Sequence, residues 1–127
     1  LAGQLSVKEY IPHDQALEHQ RSAQILLLIE IDTPQTRGII PGKFFEYLAA
    51  SRPILAIGPE NWEVASLIAE CKSGAAFRYG EQNEIQQILL TWYQDYKQHK
   101  LTVEAEGVEA YHRRALTARL VKEVLWE

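Results

Sequence analysis

One stretch decides the fold: Gly38-Ile39-Ile40-Pro41-Gly42-Lys43-Phe44-Phe45-Glu46-Tyr47-Leu48-Ala49-Ala50-Ser51-Arg52-Pro53-Ile54-Leu55-Ala56-Ile57. It predicts a loop, a short helix opened by Pro41 and a buried strand opened by Pro53. Proline is favoured at the first helical position because its missing N–H would have no partner there. The preceding residue, Ile40, has no side-chain acceptor, so three backbone N–H groups at the helix start are free to bind an anion. These N–H groups belong to Gly42, Lys43 and Phe44.

Lys43 adds a charge argument to this prediction. A cation in the first turn lies at the unfavourable end of the helix dipole, and an anionic ligand would remove the conflict. Lys43 and Glu46 are three residues apart and therefore share one face of the helix. A solvated surface pair between them explains the same residues equally well, since exposed ion pairs are common and weak. Both explanations stay open at this point.

The rest of the chain alternates between strand patterns and helix patterns. Apolar and β-branched residues predict strands at residues 5–11, 24–31, 53–57 and 75–79. The continuous apolar run of the second is typical of a strand buried on both faces. This alternation predicts a layered α/β domain with a mainly parallel sheet of about four strands, plus C-terminal helices. Because such sheets bind ligands at the carboxyl ends of their strands, the loop at residues 32–42 lies where a ligand is expected.

Polar residues at the ends of apolar periodicity predict where the helices begin. Asp14 is expected to cap a polar helix that runs to residue 22, and Asn61 a helix over residues 62–71. Asn83 and Gln86 form a capping-box pattern ahead of the next helix. Its aromatic residues are expected in the core and at its rim: Trp92, Tyr93 and Tyr96. A final amphipathic helix is expected from residue 111 to residue 125.

The composition bounds the class of protein and its partners. The 127 residues suffice for one domain, and 46% are hydrophobic and 24% charged, as in an ordinary globular protein. A formal charge of -4 argues against nucleic acid as a partner. The longest apolar run, residues 25–29, is too short to cross a membrane, and Leu1 does not begin a signal peptide. The single cysteine, Cys71, is expected in the core and favours a reducing, cytoplasmic location.

Two familiar nucleotide-binding motifs are absent. A P-loop needs four residues between its glycine and its Gly-Lys pair, followed by Ser or Thr. Here three residues separate Gly38 from Gly42, and Phe44 follows Lys43. No Gly-x-Gly-x-x-Gly fingerprint of a dinucleotide site is present either. The sequence therefore favours neither a Walker-type nucleotidase nor a dinucleotide-binding enzyme.

Histidine and serine residues give no metal or hydrolase motif. The four histidines lack metal-ligand spacing, and no metal is predicted; they are His13, His19, His99 and His112. His13 differs from the other three, which are expected on helix surfaces, because it follows Pro12 at the ligand-binding side of the sheet. A histidine that simply precedes a helix, without contacting a ligand, explains the same sequence. Ser51 and Ser66 lie inside predicted helices, which gives no support to a serine hydrolase.

Four segments together resemble a known family. They are Ile11-Pro12-His13 before a polar helix, Ser22 to Leu28, Ile40 to Ala56, and Gly74-Ala75-Ala76. In this order they resemble the C-terminal domain of GT-B-fold glycosyltransferases, and most of all the retaining bacterial enzymes of glycosyltransferase family four ("group one") that build surface polysaccharides. One branch of that group carries a Pro-Ser-Lys-x-x-Glu-Tyr-x-Ala-x-x-x-Pro pattern. The likeness runs from about residue 7 to the final helix.

The resemblance implies a Rossmann-like domain that binds a nucleotide-diphosphate sugar as donor substrate, without a cofactor or metal. At matching positions, Glu46 is expected to bind the ribose hydroxyls, while Gly42 and Lys43 face the phosphates and sugar. Pro12 and His13 match the segment that borders the base. The family commonly has a second glutamate at the position that Gly38 occupies here. The contact with the donor sugar that this glutamate makes in the family is therefore in question for this chain.

The resemblance also implies that residues 1–127 are a single partial domain, inactive alone. The absence of methionine agrees with a chain that begins partway through a longer protein. Two βα units that carry an Arg/Lys pair, and the N-terminal acceptor-binding domain with the catalytic residues, would lie ahead of it. The edge of the truncated sheet is expected to be covered, either by a second copy in a homodimer or by another contact. The parent is expected in the cytoplasm, with peripheral membrane association.

Two alternatives remain open from the sequence. The first is a non-catalytic α/β binding or regulatory module, such as a receiver-like domain. A receiver would need clustered acids at the ends of its first and third strands, whereas only Glu30 and Asp32 lie at a strand end. The second is a sugar-nucleotide epimerase of related GT-B architecture, whose deciding residues would lie elsewhere.

Overall fold

The computed structural model describes residues 2–111 and 113–125, and its centre is a sheet of three parallel strands. The strands are β1 (Leu26–Ile29), β2 (Ile54–Gly58) and β3 (Gly74–Arg78), hydrogen-bonded in that order. Leu28 lies opposite Ala56, which lies opposite Ala76 on the other side. The fold is therefore a Rossmann-like layered α/β domain, as the alternation of strands and helices predicts.

The predicted strand at residues 5–11 does not form, so the sheet has three strands rather than about four. Most of its apolar side chains are exposed to solvent, with Val7 at 80% and Tyr10 at 95%. The sequence has the residue types of a strand, but a strand also needs a neighbour to accept its backbone hydrogen bonds. No strand within the described residues lies beside this segment.

Helices connect the strands and supply the core. They are α1 (His13–Ser22), α2 (Gly42–Ala50), α3 (Glu63–Cys71), α4 (Gln82–Lys97) and α5 (Arg113–Leu120). One core cluster joins α2 and α3 to the sheet through Phe44, Leu48, Trp62 and Ile68, all almost fully buried. Because the two helices share this cluster with Leu28, they pack on the same face of the sheet. Right-handed crossovers between parallel strands taken in order produce this arrangement.

β1 is an edge strand and is buried on one face only. Leu26 and Leu28 are buried, whereas Leu27 is 51% exposed and Ile29 is 56% exposed. The predicted burial on both faces is wrong, because the side chains that alternate onto the second face of β1 are not covered. The central strand β2 has the more continuous burial that a run of apolar residues predicts, from Ile54 to Ala56.

The four longer helix starts differ from the predicted caps. Pro12 and Pro41 occupy the cap positions of α1 and α2, so α1 begins before Asp14 and Pro41 lies one position outside α2. Trp62 rather than Asn61 precedes α3, and Glu81 rather than Asn83 precedes α4, without the predicted capping box. No cap side chain bonds the first turn of α1, α2, α3 or α4. The first turns of α1 and α2 are therefore open to water or ligands, whereas the N–H of Glu63 at the start of α3 donates to the Arg37 carbonyl oxygen.

The C-terminal part returns to the body of the domain. Glu106 donates its N–H to the carbonyl oxygen of Cys71 at 2.7 Å, and the Tyr111 ring lies 6.0 Å from that of Phe45. Cys71 is 1% exposed, as predicted, and burial raises the pKa of its thiol, as does Glu70 more weakly. The predicted final helix is divided into a 3-10 turn (Val108–Tyr111), α5 and a π turn (Val121–Leu125). The prediction for His112 lies outside the described residues.

The predicted aromatic helix α4 lies at the rim rather than in the core. It contacts β3, but none of its residues is fully buried. Tyr93 is 55% exposed and Tyr96 is 49% exposed. Among the described residues, no helix is both long and apolar enough to span a membrane.

Candidate functional site

Helices α1 and α2 lie side by side and begin at the same edge of the sheet. α2 follows β1 and therefore starts at the carboxyl end of that strand. α1 precedes β1, so it ends near the amino end of the strand and begins at the carboxyl edge. Arg52, just beyond α2, donates from Nε to the carbonyl oxygen of Arg21 at 2.9 Å, which joins the far ends of the two helices. The two open first turns, each preceded by proline, are thus neighbours.

The Glu46 carboxylate lies between these two helices. Its Oε2 accepts a hydrogen bond from Gln20 Nε2 at 3.0 Å, and its Oε1 lies 3.8 Å from His13 Nε2. The side chain of Glu46 is 34% exposed, whereas that of His13 is 72% exposed. Two candidate residues that are 33 positions apart in sequence are therefore brought together. A ligand can still reach the exposed part of the Glu46 carboxylate.

Gln20 is a residue of this site that the sequence prediction missed. It lies seven positions after His13, and residues separated by two helical turns share a face. This spacing was the one signal in the sequence that could have linked it to His13. Its amide restrains the Glu46 carboxylate from the α1 side.

The start of α2 retains most of the predicted open geometry. Gly42 and Lys43 are exposed, and no side chain caps this turn. The N–H of Phe44 is not free as predicted, because it donates to the Pro41 carbonyl oxygen at 2.9 Å. Among the described residues, the Lys43 ammonium pairs with no carboxylate, and the Glu46 carboxylate is bonded to α1 instead. The surface pair between these two residues is therefore not formed.

The other glycine and proline of the predicted site are open to solvent. Gly38 and Pro12 are both exposed. A Cβ at Gly38 would meet no atom within 4 Å, and the same holds for Gly42. Packing therefore does not require glycine at either position, and a larger side chain could be accommodated at residue 38.

The loop before α2 is held by several specific bonds. The Thr36 hydroxyl, in a 3-10 turn (Pro34–Thr36), donates to the carbonyl oxygen of Ile31. Trp62 donates from Nε1 to the Ile39 carbonyl oxygen at 2.8 Å, and the N–H of Glu63 donates to the Arg37 carbonyl oxygen at 2.8 Å. This loop is consequently fixed to the start of α3. The same bonds set the direction from which the chain enters α2.

A charged cleft of about 470 Å³ lies where the three strands end. It is lined by Asp32, Arg37, Glu60, Arg78, Tyr79, Gly80 and Glu81. Arg78 bonds Glu81 through Nε at 3.0 Å and Glu60 through Nη1 at 3.3 Å. The backbone N–H of Arg78, and then its guanidinium, lower the pKa of Glu81. The sequence prediction missed this cleft, although charged residues directly after each strand were its signal.

No family model, curated protein or solved structure matches this chain. Its own geometry is therefore what locates a ligand site. That geometry offers two places for a ligand, the paired starts of α1 and α2 and the charged cleft.

Tyr47 connects α2 to the edge of the sheet. Its hydroxyl donates to the carbonyl oxygen of Leu27 in β1 at 3.3 Å. Burial raises the pKa of Tyr47, and the neighbouring Glu46 raises it further. Tyr47 therefore stays neutral near physiological pH and keeps the proton that this hydrogen bond uses.

Residues 2–111 and 113–125 contain no group of three His, Cys, Asp or Glu side chains arranged to hold a metal ion.

Proposed function

We propose that this chain is the donor-binding portion of a GT-B-fold glycosyltransferase, which transfers a sugar from a nucleotide-diphosphate sugar to an acceptor. The observation that carries the proposal is the meeting of Glu46 and His13 at the paired starts of α1 and α2. Carbohydrate transfer from such donors needs one site for ribose hydroxyls and another for a diphosphate. This edge of the sheet offers a carboxylate for the ribose hydroxyls and positive charge for the diphosphate.

The start of α2 supports the diphosphate site. Backbone N–H groups and the positive end of the helix dipole together favour an anion. Lys43 lies in the same turn without a carboxylate partner among the described residues, so its charge remains available. In the parent enzyme these groups would stabilise the charge that develops on the leaving diphosphate. Gly42 allows a phosphate to approach the backbone closely, since it has no side chain.

Glu46 supports the ribose site. A carboxylate accepts hydrogen bonds through two oxygens, which suits the two neighbouring hydroxyls of a ribose. Gln20 holds Oε2 from one side, which restricts the carboxylate to one orientation before a ligand arrives. His13 would then border the base, because its ring lies next to this carboxylate at the start of α1, and Pro12 would border it as the residue that precedes His13.

The remaining parts of the proposal concern the parent protein. It would supply the rest of the diphosphate site, the acceptor-binding domain and the catalytic residues. Synthesis of a surface polysaccharide in the cytoplasm, with peripheral attachment to the membrane, is the process that we propose. A metal ion is not required, since Lys43 and the helix start provide the positive charge.

A non-catalytic binding or regulatory module is the second candidate. The hydrogen bond from Gln20 to Glu46 favours it, because this contact also serves as a plain structural link between two helices. A related epimerase would share the nucleotide site, and therefore the same binding behaviour.

Calorimetric titration with UDP and GDP tests the proposal. The full-length protein that contains this chain is titrated as wild type, as Glu46→Ala and as the control Glu84→Ala on exposed α4. We expect one nucleotide to bind and its affinity to fall about tenfold or more in Glu46→Ala only, since a hydrogen bond to a charged group contributes about 1.5–3 kcal/mol. Absence of binding by both nucleotides would reject the glycosyltransferase and the epimerase together. Binding that is insensitive to Glu46→Ala would reject the ribose assignment.

A further inference from the structure

The charged cleft is a preorganised feature of the fold. Tyr79, which lines the cleft, donates its hydroxyl to the Glu30 carbonyl oxygen at 2.8 Å, which connects the end of β3 to the end of β1. The Glu81 carboxylate accepts the backbone N–H of Arg78 at 2.9 Å. Thr36 and Trp62 fix the loop that carries Arg37. A site whose groups are already held by other bonds loses less conformational entropy when a ligand binds.

The charges of the cleft are nearly balanced, and this decides what class of ligand it suits. Arg78 is neutralised by its bonds to Glu60 and Glu81. Among the described residues, the carboxylate of Asp32 and the guanidinium of Arg37 have no side-chain partner, and both residues are exposed. A phosphate would meet three carboxylates, and an ammonium group would meet two guanidinium groups. A neutral ligand avoids both repulsions.

A hydroxyl group uses both kinds of charge at once. It donates one hydrogen bond and accepts up to two. Asp32 and the second oxygens of Glu60 and Glu81 are acceptors, whereas Arg37 is a donor, so closely spaced hydroxyls find partners of both types. Tyr79, which lines the cleft, is 48% exposed, and aromatic rings of this kind pack against the C–H side of a sugar ring. The cleft volume lies within the range of about 300–1,000 Å³ that is usual for small-molecule sites.

We propose that the charged cleft is a second binding site, which takes a neutral polyhydroxylated ligand, namely a glycosyl unit of a saccharide. None of Gly42, Lys43 and Glu46 lines it, so it is separate from the paired helix starts. Binding in the cleft does not depend on whether a nucleotide binds at the helix starts.

A titration followed by ¹⁵N–¹H spectra tests this inference. The probes are methyl α-D-glucopyranoside and methyl β-D-galactopyranoside, with inorganic phosphate and methylammonium as charged comparisons. We expect saturable shifts of the Arg37, Tyr79 and Gly80 amides with at least one glycoside. Asp32→Asn and Arg37→Gln should each weaken this binding about tenfold, because each removes a hydrogen bond to a charged group.

The controls separate the cleft from the helix starts and from misfolding. Glu46→Gln should bind the glycoside as the wild type does, whatever its effect on UDP. Asp32 and Arg37 are exposed, and in the part of the chain that the structure describes their side chains make no hydrogen bond or ion pair, so spectra far from the cleft should not change in either variant. The proposal is overturned if neither glycoside gives a saturable shift, or if the shift survives both cleft variants. Saturable, Arg37-dependent binding of phosphate in place of the glycosides would also overturn it.

Discussion

Trp62 donates its indole N–H to the carbonyl oxygen of Ile39 at 2.8 Å and thereby joins the core to the candidate site. The indole ring is 2% exposed and packs on Gly58, where a Cβ would lie 2.4 Å from the ring. Ile39 precedes α2 by three residues. One core side chain therefore sets the path by which the chain enters the helix that carries Lys43 and Glu46.

Replacement of Trp62 by phenylalanine should lower the free energy of unfolding by about 2–4 kcal/mol, since it loses a hydrogen bond and leaves part of a buried volume empty. Urea denaturation followed by circular dichroism measures this loss. Trp92→Phe is the matched control, because that indole lies half-buried on α4. An equal loss in both variants would contradict the role assigned to the bond with Ile39.

Gly74 should be the glycine least tolerant of alanine. A Cβ there would lie 2.0 Å from the Ile54 carbonyl oxygen, and this atom belongs to the β2 backbone and cannot rotate away. Gly74→Ala should therefore destabilise the fold by about 3 kcal/mol or more. Thermal unfolding of this variant is compared with that of Gly38→Ala, which meets no atom within 4 Å. A stability change in Gly38→Ala as large as that in Gly74→Ala would contradict the steric argument.

The parallel α/β fold could be predicted because it depends on local patterns that the core reinforces. Phe44, Leu48 and Cys71 fall on the faces that helical spacing assigns to the interior, and all three are buried. The segment at residues 5–11 failed for a non-local reason, since strand composition cannot supply the neighbour that a strand needs. The helix caps failed because proline and tryptophan precede the helices where local rules favour Asp14 and Asn61.

The candidate site was predictable only in part for a similar reason. The open start of α2 follows from Pro41 and its neighbours, which are contiguous in sequence. The meeting of His13, Gln20 and Glu46 depends on how α1 packs against α2, and no single segment encodes that angle. The charged cleft collects residues from three strand ends, so the sequence shows the charges after each strand but not that they meet in one place.

The Gln20–Glu46 bond should give a measurable coupling between α1 and α2. A double-mutant cycle of Gln20→Ala and Glu46→Ala is expected to show about 0.5–1.5 kcal/mol, since the bond is direct at 3.0 Å and partly buried. A second cycle of His13→Ala with Glu46→Ala should give less, because that contact is 3.8 Å long and His13 is largely exposed. Urea denaturation measures both. The reverse order of couplings would show that Glu46 is held mainly by His13.

Glu81 should titrate below the usual range of a glutamate carboxyl. Its pKa is lowered first by the backbone N–H of Arg78 and then by the guanidinium of the same residue. Because the folded pKa is lower than the unfolded one, the unfolded chain binds the proton first as pH falls. The stabilisation from Glu81 is therefore complete at neutral pH and is lost as the pH falls through the folded pKa.

Carboxyl-carbon NMR titration measures that pKa directly. Arg78→Gln should raise it only in part, because the backbone N–H at 2.9 Å remains. Glu81→Gln should remove this contribution to the acid dependence of unfolding. A Glu81 pKa that returns fully to its usual value in Arg78→Gln would assign the whole effect to the guanidinium instead.

The free edge of β1 should cause this chain to self-associate. Among the described strands β1 pairs only with β2, and its Leu27 and Ile29 side chains are more than half exposed. No charged residue or proline lies within Leu26–Ile29, although such residues commonly protect an edge from pairing with another copy.

We expect a concentration-dependent dimer in sedimentation velocity, and Leu27→Lys should shift it to monomer because the new charge would have to be buried in the paired edge. The control Leu120→Lys changes a residue of α5 that is 58% exposed and should leave the dimer intact. A strictly monomeric wild type at high concentration would rule out pairing through this edge, and equal loss of the dimer in both variants would place the contact elsewhere.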